Sequence, residues 1–116
     1  MAEEFDERTF EKVADQSLKD LSRALDEAAT DFEADLQNGI LTIEFPDGVK
    51  YVINSHRAAK QIWMAAERNA WHFDYRGADG KWIGTKNADE LWATVEGVIA
   101  RKLNAPFSLK RPTFAR

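Results

Sequence analysis

The period of the apolar residues shortens sharply near Asp31, and the close spacing of the turns that follow leaves little choice of architecture. Phe10, Val13, Ala14, Leu18, Leu21, Leu25 and Ala28 recur at three- and four-residue steps. That spacing predicts an amphipathic helix of about five turns, with Glu11, Asp15, Arg23 and Asp26 facing outward. From Asp31 the period falls to two, Phe32, Ala34 and Leu36 alternating with Asp31, Glu33 and Asp35, as in a half-buried strand. Asn38-Gly39 follows, a pair that tolerates positive φ in a tight hairpin. A second strand spans Ile40 to Phe45, Pro46-Asp47-Gly48 turns it, and a third spans Lys50 to Asn54.

Beyond Asn54 the pattern is less regular. Ser55 to Ala59 has no clear period, and Lys60 to Ala65 reads as a short strand with Ile62 opposite to Gln61 and Trp63, a helix being the competing reading. Ala70 to Arg76 alternates again, Trp71, Phe73 and Tyr75 on one side and His72, Asp74 and Arg76 on the other. Gly77, Asp79 and Gly80 mark a turn before Lys81-Trp82-Ile83. Asn87, with Glu90 three residues on, resembles a capping box that opens a helix through Leu91, Trp92, Val95, Ile99 and Leu103. Arg101 and Lys102 suit its C-terminal end and Pro106 stops it. The tail Phe107-Ser108-Leu109 is apolar enough to pack on the body, between the helices.

Six strands with connections too short for crossovers make an antiparallel sheet, and two amphipathic helices must cover one of its faces. The expected fold is therefore α+β, a two-layer sandwich of a six-stranded antiparallel sheet with N- and C-terminal helices on one side. A chain of 116 residues fits a single domain with its own core. Its parts are a first helix over about 5–29, a sheet over 31–83, a second helix over 88–103 and a tail over 104–116.

Charge is distributed unevenly. Residues 1–35 hold twelve of the twenty Asp and Glu against four Lys and Arg, a net −8, while residues 36–116 carry +4. An acidic pole suits cations or a basic partner and repels a phosphate backbone. With no cysteine there are no disulfides, thiolate metal sites or thiol nucleophiles, as suits a reducing cytoplasm. The acidic start lacks the apolar run of a signal or transit peptide. No Ser-His-Asp spacing, phosphate-binding glycine loop or carboxylate pair of catalytic type is evident, so an enzyme is the least expected class.

The open sheet face carries the other candidate residues. Ile62 is the better core residue, so Trp63 shares the solvent side with Gln61, and an exposed Trp among amides has the make-up of an interface anchor. Trp71, Trp82 and Trp92 fall to the core or its edge. His56 and His72 are read as surface residues rather than a metal pair, and His72 and Asp74 share a face where they can pair. Alternation sets Asp31, Glu33 and Asp35 on one strand face beside the helix end. Carboxylates there suit hard cations held loosely and exchangeably, and equally a solvated face that keeps the protein soluble.

The chain resembles the frataxin family, specifically its bacterial frataxin-like members, over nearly its whole length. The resemblance rests on Val13-Ala14-Asp15-Gln16, Asn38-Gly39-Ile40-Leu41-Thr42-Ile43, Tyr51-Val52-Ile53-Asn54, Gln61-Ile62-Trp63, His72-Phe73-Asp74-Tyr75, Trp82 and the closing helix at Leu91. It implies an iron-binding protein that modulates iron-sulfur cluster assembly, working with a cysteine desulfurase and a cluster scaffold protein. The family's cation ridge carries over to Asp26, Glu27, Asp31, Glu33 and Asp35, extended by Glu11 and Asp15. Iron, as Fe²⁺ or Fe³⁺, would bind there weakly, other divalent cations could substitute, and any iron oxidation would be a side consequence of binding. The ridge would also dock the desulfurase. The scaffold-facing patch carries over to Asn54, Gln61 and Trp63, with His56, His72 and Asp74 beside them. His56 stands where the family usually has Gln and Ala58 where it usually has Pro, which leaves the contacts carried over to His56 open. The implied protein is a cytoplasmic monomer, with iron-dependent oligomers open, and contacts neither membrane nor nucleic acid. Two other readings stand beside this one. The first is a metal-independent adaptor or inhibitor using only the sheet face. The second is a single-stranded nucleic-acid binder that stacks bases on Trp63 with help from Arg57, Lys60 and Arg76.

Overall fold

The computed structural model describes residues 5–28 and 31–111. Helix α1 spans Glu7–Ala28, six strands follow as β1 (Glu33–Gln37), β2 (Ile40–Glu44), β3 (Lys50–His56), β4 (Gln61–Ala66), β5 (Asn69–Arg76) and β6 (Lys81–Gly84), and α2 spans Leu91–Leu103. The strands form one antiparallel sheet in chain order, the meander that short connections dictate. Both helices bury their apolar faces against the same side. Phe10, Ala14, Leu18, Leu21 and Leu25 of α1 and Leu91, Val95 and Ile99 of α2 join Leu41, Ile43, Tyr51, Ile53, Ile62, Met64, Phe73 and Trp82 in a single core. Trp82 ties β6 to α1 twice, by an edge contact with Phe10 at 6.0 Å and by donating its indole N–H to Ser17 Oγ at 2.9 Å.

Local chemistry accounts for most boundaries. Asp6 accepts from the Thr9 N–H at 2.8 Å and caps α1, so the helix starts at Glu7 rather than residue 5, and residue 29 lies outside the described residues. Asn38 and Gly39 take φ of 53° and 78°, the pair of positive angles a two-residue hairpin turn needs. A Cβ at Gly39 would also meet Ser55 Oγ at 2.8 Å. The β4 segment is a strand, not a helix, and Lys60 belongs to the turn before it, with φ 56°.

Two expectations are corrected. Strand β3 continues through Ser55 and His56, paired with Ile62 and Gln61, although the sequence loses its alternation at Ser55. The capping box from Asn87 is not made. Ala88 turns the chain with φ 58°, and Glu90 itself is the N-cap, accepting from the N–H groups of Trp92 and Ala93 at 2.9 and 3.0 Å. Helix α2 therefore begins at Leu91 instead of 88. The tail runs back along α2: Phe107 packs on Phe32 at 5.7 Å, Leu109 is buried and its N–H donates to Glu96, and Arg111 pairs with Glu90 and Glu96. Residues 112–116 of the expected tail lie outside the described residues. No helix among the described residues is long and apolar enough to cross a membrane.

Candidate docking face and acidic margin

With both helices on one side, the other side of the sheet is open, and strand register decides what stands on it. One row crosses five strands as Gln37, Ile40, Asn54, Trp63 and His72. The next row toward β6 holds His56, Gln61, Asp74 and Ile83. All six residues expected at the partner face therefore share one surface.

At the centre of that surface three rings stand stacked. Trp63 lies between His56, 3.8 Å from its centroid at 16°, and His72, 4.2 Å away at 11°. Position His56, left open by its departure from the family pattern, stands in the same ring stack. The indole N–H donates to Gln61 Oε1 at 2.8 Å, and the Gln61 amide donates onward to Asp74 Oδ1 at 2.9 Å. The expected pairing of His72 with Asp74 is replaced by these two contacts: Asp74 receives Gln61, and His72 lies against the indole. His56 Nδ1 accepts from the Ala59 N–H at 3.3 Å, which ties the ring to the turn before β4. Asn54 donates to the Ser55 carbonyl at 3.1 Å. Trp63 is half-buried by this packing while its strand neighbours Ile62 and Met64 are buried on the core side. Trp71, Trp82 and Trp92 pack in or against the core.

Because imidazoles cover both faces of the indole, a nucleobase could stack on Trp63 only by displacing one of them. What the indole presents outward is an edge, flanked by the edges of two imidazoles and by two amides. Ile40, in the same row, is 48% exposed and is the large apolar residue most open to solvent among the described residues. Its place in the patch follows from hairpin register, which periodicity alone did not supply.

The acidic residues do not gather at one point. Glu11 is held by Arg57 at 2.7 Å, and with Asp15, Lys19 and Arg57 it rims a groove of about 640 Å³ between α1 and the β1–β2 turn. Asp26 and Glu27 project from the last turn of α1, which contains no basic residue. That end of a helix carries partial negative charge, so two carboxylates there are mutually unfavourable with it. Asp31 and Glu33 line a shallow cleft with Glu44 over Phe32, Phe45 and Pro46. Asp35 accepts from the Gln37 amide at 3.0 Å. Glu33 stands directly opposite Glu44 across the β1–β2 pair, a like-charge pairing that is unfavourable by itself, and Lys50 stands opposite Glu44 on its other side. Glu44 had no place among the sequence candidates, although the hairpin centred on Asn38-Gly39 fixes its position opposite Glu33. Among the described residues no three carboxylates or histidines converge closely enough to hold a metal ion.

Glu33, Asp35 and Gln37 face the same side as Trp63, so the acidic margin and the ring stack are two ends of one surface. Three strand spacings separate β1 from β4, about 14 Å. Elsewhere, burial and then a hydrogen bond to Glu67 at 2.6 Å push the Tyr51 hydroxyl well above its ordinary value. This group faces away from both patches.

The sequence model of the frataxin-like domain matches residues 3–105. A protein of Ralstonia nicotianae named iron-sulfur cluster assembly protein CyaY is 32% identical over 107 residues, covering 89% of this chain and 93% of its own. A protein of the same name from Pseudoalteromonas atlantica is 31% identical over 104 residues, covering 90% of this chain and 94% of its own. The solved frataxin of Psychromonas ingrahamii aligns with a TM-score of 0.80 at 27% identity, covering 89% of this chain and 96% of its own. The open six-stranded sheet, the two helices on its inner side and these matches agree: the chain belongs to the frataxin family.

Proposed function

We propose that the chain modulates iron-sulfur cluster assembly, binding iron loosely at its carboxylates, docking a cysteine desulfurase at the acidic margin and docking a cluster scaffold protein at the ring stack. The assembly role is supported by the name its relatives carry. The observation that carries the two-partner part is the geometry of one face: a fixed aromatic and amide patch centred on β4, and the carboxylates Glu33 and Asp35 on β1, three strands away and displaced along the strand. Fixed aromatic edges ringed by hydrogen-bonding groups suit a specific, partly desolvated contact. Dispersed carboxylates suit electrostatic steering and weak, water-rich cation binding, and iron and a basic partner would compete for them.

Cluster reconstitution on a scaffold with a desulfurase, run with and without this chain across a range of iron, tests the reading. The expected result is a rate that depends on the chain and on iron. No effect at any iron level removes the reading.

A second reading, an adaptor that needs no metal, is favoured by the scatter of the carboxylates, none of which form a converging set of three among the described residues. It expects the same change in reconstitution rate whether or not iron exceeds the amount the cluster consumes, and unchanged scaffold binding in chelator.

A further inference from the structure

The ring stack contains two groups whose charge responds to ordinary changes of pH, placed against the one residue on which sheet-face docking would turn. We propose that His56 and His72 form an imidazole clamp on Trp63 that makes docking of the scaffold protein at this face weaken as pH falls from about 7.5 to 5.5. The inference rests on the assignment of the scaffold to this face and adds its regulation.

Geometry supplies the coupling. Each imidazole lies nearly parallel to the indole, at 3.8 and 4.2 Å, on opposite faces. Protonation of either puts a cation directly on the indole π-system. At His56 it does more, because Nδ1 accepts from the Ala59 N–H. A proton on Nδ1 turns that contact into donor against donor, and the 57–60 turn must release the ring. The tether of the His56 ring to the turn therefore needs an unprotonated Nδ1. An interface that covers these ring edges must also desolvate whatever charge they carry. Burying an imidazolium is far costlier than burying a neutral imidazole, so docking selects the neutral state.

The surrounding charges do not substitute for this effect. Strand β5 supplies Asp74, which already accepts from Gln61. The β3–β4 turn supplies Lys60 and Arg57, the latter paired with Glu11 of α1. The segment after β6 supplies Lys86 and Asp89, which share a cleft with His72. Carboxylates and lysines keep their charge between pH 5.5 and 7.5 unless strongly perturbed, and imidazoles do not.

The test has two arms. In the free protein, the Trp63 indole N–H resonance, assigned by its loss in Trp63→Phe, is followed from pH 8 to 5.5. It should move with an imidazole profile, each of His56→Gln and His72→Phe should remove part of the movement, and the double variant should be flat. Phe preserves a flat ring beside the indole, and Gln preserves an acceptor near Ala59, so both variants should fold; thermal unfolding at each pH checks this. A resonance that stays still in the parent, or still titrates in the double variant, overturns the clamp. In the second arm, binding of the isolated scaffold protein is measured at pH 7.5 and 5.5. The parent should bind more weakly at pH 5.5 than at 7.5, and the ratio of the two affinities should shrink toward one in the double variant, whatever its affinity at pH 7.5. Equal weakening of parent and double variant overturns the regulation. A titrating indole with no scaffold binding at any pH overturns the docking assignment and the regulation built on it, while leaving the clamp itself standing.

Discussion

At β4 the indole N–H, the Gln61 amide and Asp74 form one relay and two imidazoles hold the ring, whereas at β1, on the same sheet face, Glu33 stands opposite Glu44. The first region is preorganised: a partner meets side chains that have already lost their freedom, so less is lost on binding. In the second, Glu33 and Glu44 face each other as like charges, with Lys50 opposite Glu44 on β3 offsetting part of that charge. Two surfaces adjoining on one sheet can thus differ in what they recognise. On the proposed reading, shape and hydrogen bonding would decide at β4 and charge at β1.

The sharpest way to test the docking half of this contrast is to compare the two sides of the same strands. Phe73, next to His72 but fully buried in the core, should cost about 3–5 kcal/mol when changed to Ala, since a large cavity opens under both helices. Urea denaturation would measure it. Trp63→Ala should instead leave the denaturation midpoint nearly unchanged and weaken scaffold binding by 2 kcal/mol or more, about thirtyfold. If Trp63→Ala destabilised the fold as much as Phe73→Ala, the ring stack would be a structural element and the contrast would collapse.

Much of this face was legible in the sequence because its strands alternate and its turns are chemically marked. Gln61, Trp63, His72 and Asp74 fall on one side by parity alone. The stack itself was not legible, for it joins residues on β3, β4 and β5 that meet only through register, and His56 lay in a segment with no visible period. Glu90 as N-cap was also hidden. Glu is an uncommon cap, and the Asn87 and Glu90 spacing offered a more familiar alternative that the positive φ of Ala88 displaces. At the margin the carboxylates were easy to name and hard to group, because helix and strand positions close in sequence project from different elements. Glu44 was recoverable: a two-residue turn at Asn38-Gly39 sets Glu33 against it by counting outward.

For the margin, reversing the charge of Glu33 and Asp35 together to Lys should lower desulfurase affinity on the order of tenfold at low ionic strength, with the difference shrinking as salt is added. Iron affinity should fall in the same variant. Stability should move the other way: Glu33→Lys alone replaces a like-charge cross-strand pair with an opposite-charge one, a gain of about 0.2–1 kcal/mol. A variant that binds worse yet unfolds later would mark the margin as selected for recognition at a cost to the fold. Unchanged titrations of iron and desulfurase would remove the margin from the proposed function.

The smallest effect separates carboxylates that have fixed partners from those of the margin. Lys102 donates to Asp47, and the Val49 N–H donates to it at 3.0 Å, which together hold the Asp47 carboxyl below its ordinary value. Arg76 does the same for Asp79. A lowered pKa means that the folded state binds the proton less readily than the unfolded chain does. The stabilisation is therefore complete above the unfolded carboxylate range, near pH 4, and is lost as pH falls through the lower folded value. Both groups are exposed, so the effect should be small, seen as a modest drop in the urea midpoint between pH 6 and pH 3. Asp47→Asn should lower the midpoint slightly at pH 6 and by less at pH 3, narrowing that drop. Glu33→Gln should raise the midpoint at pH 6, since it removes one member of a repelling pair. The same shift in both variants would mean that partnered and unpartnered carboxylates contribute alike, and the electrostatic distinction between the margin and the rest of the surface would be lost.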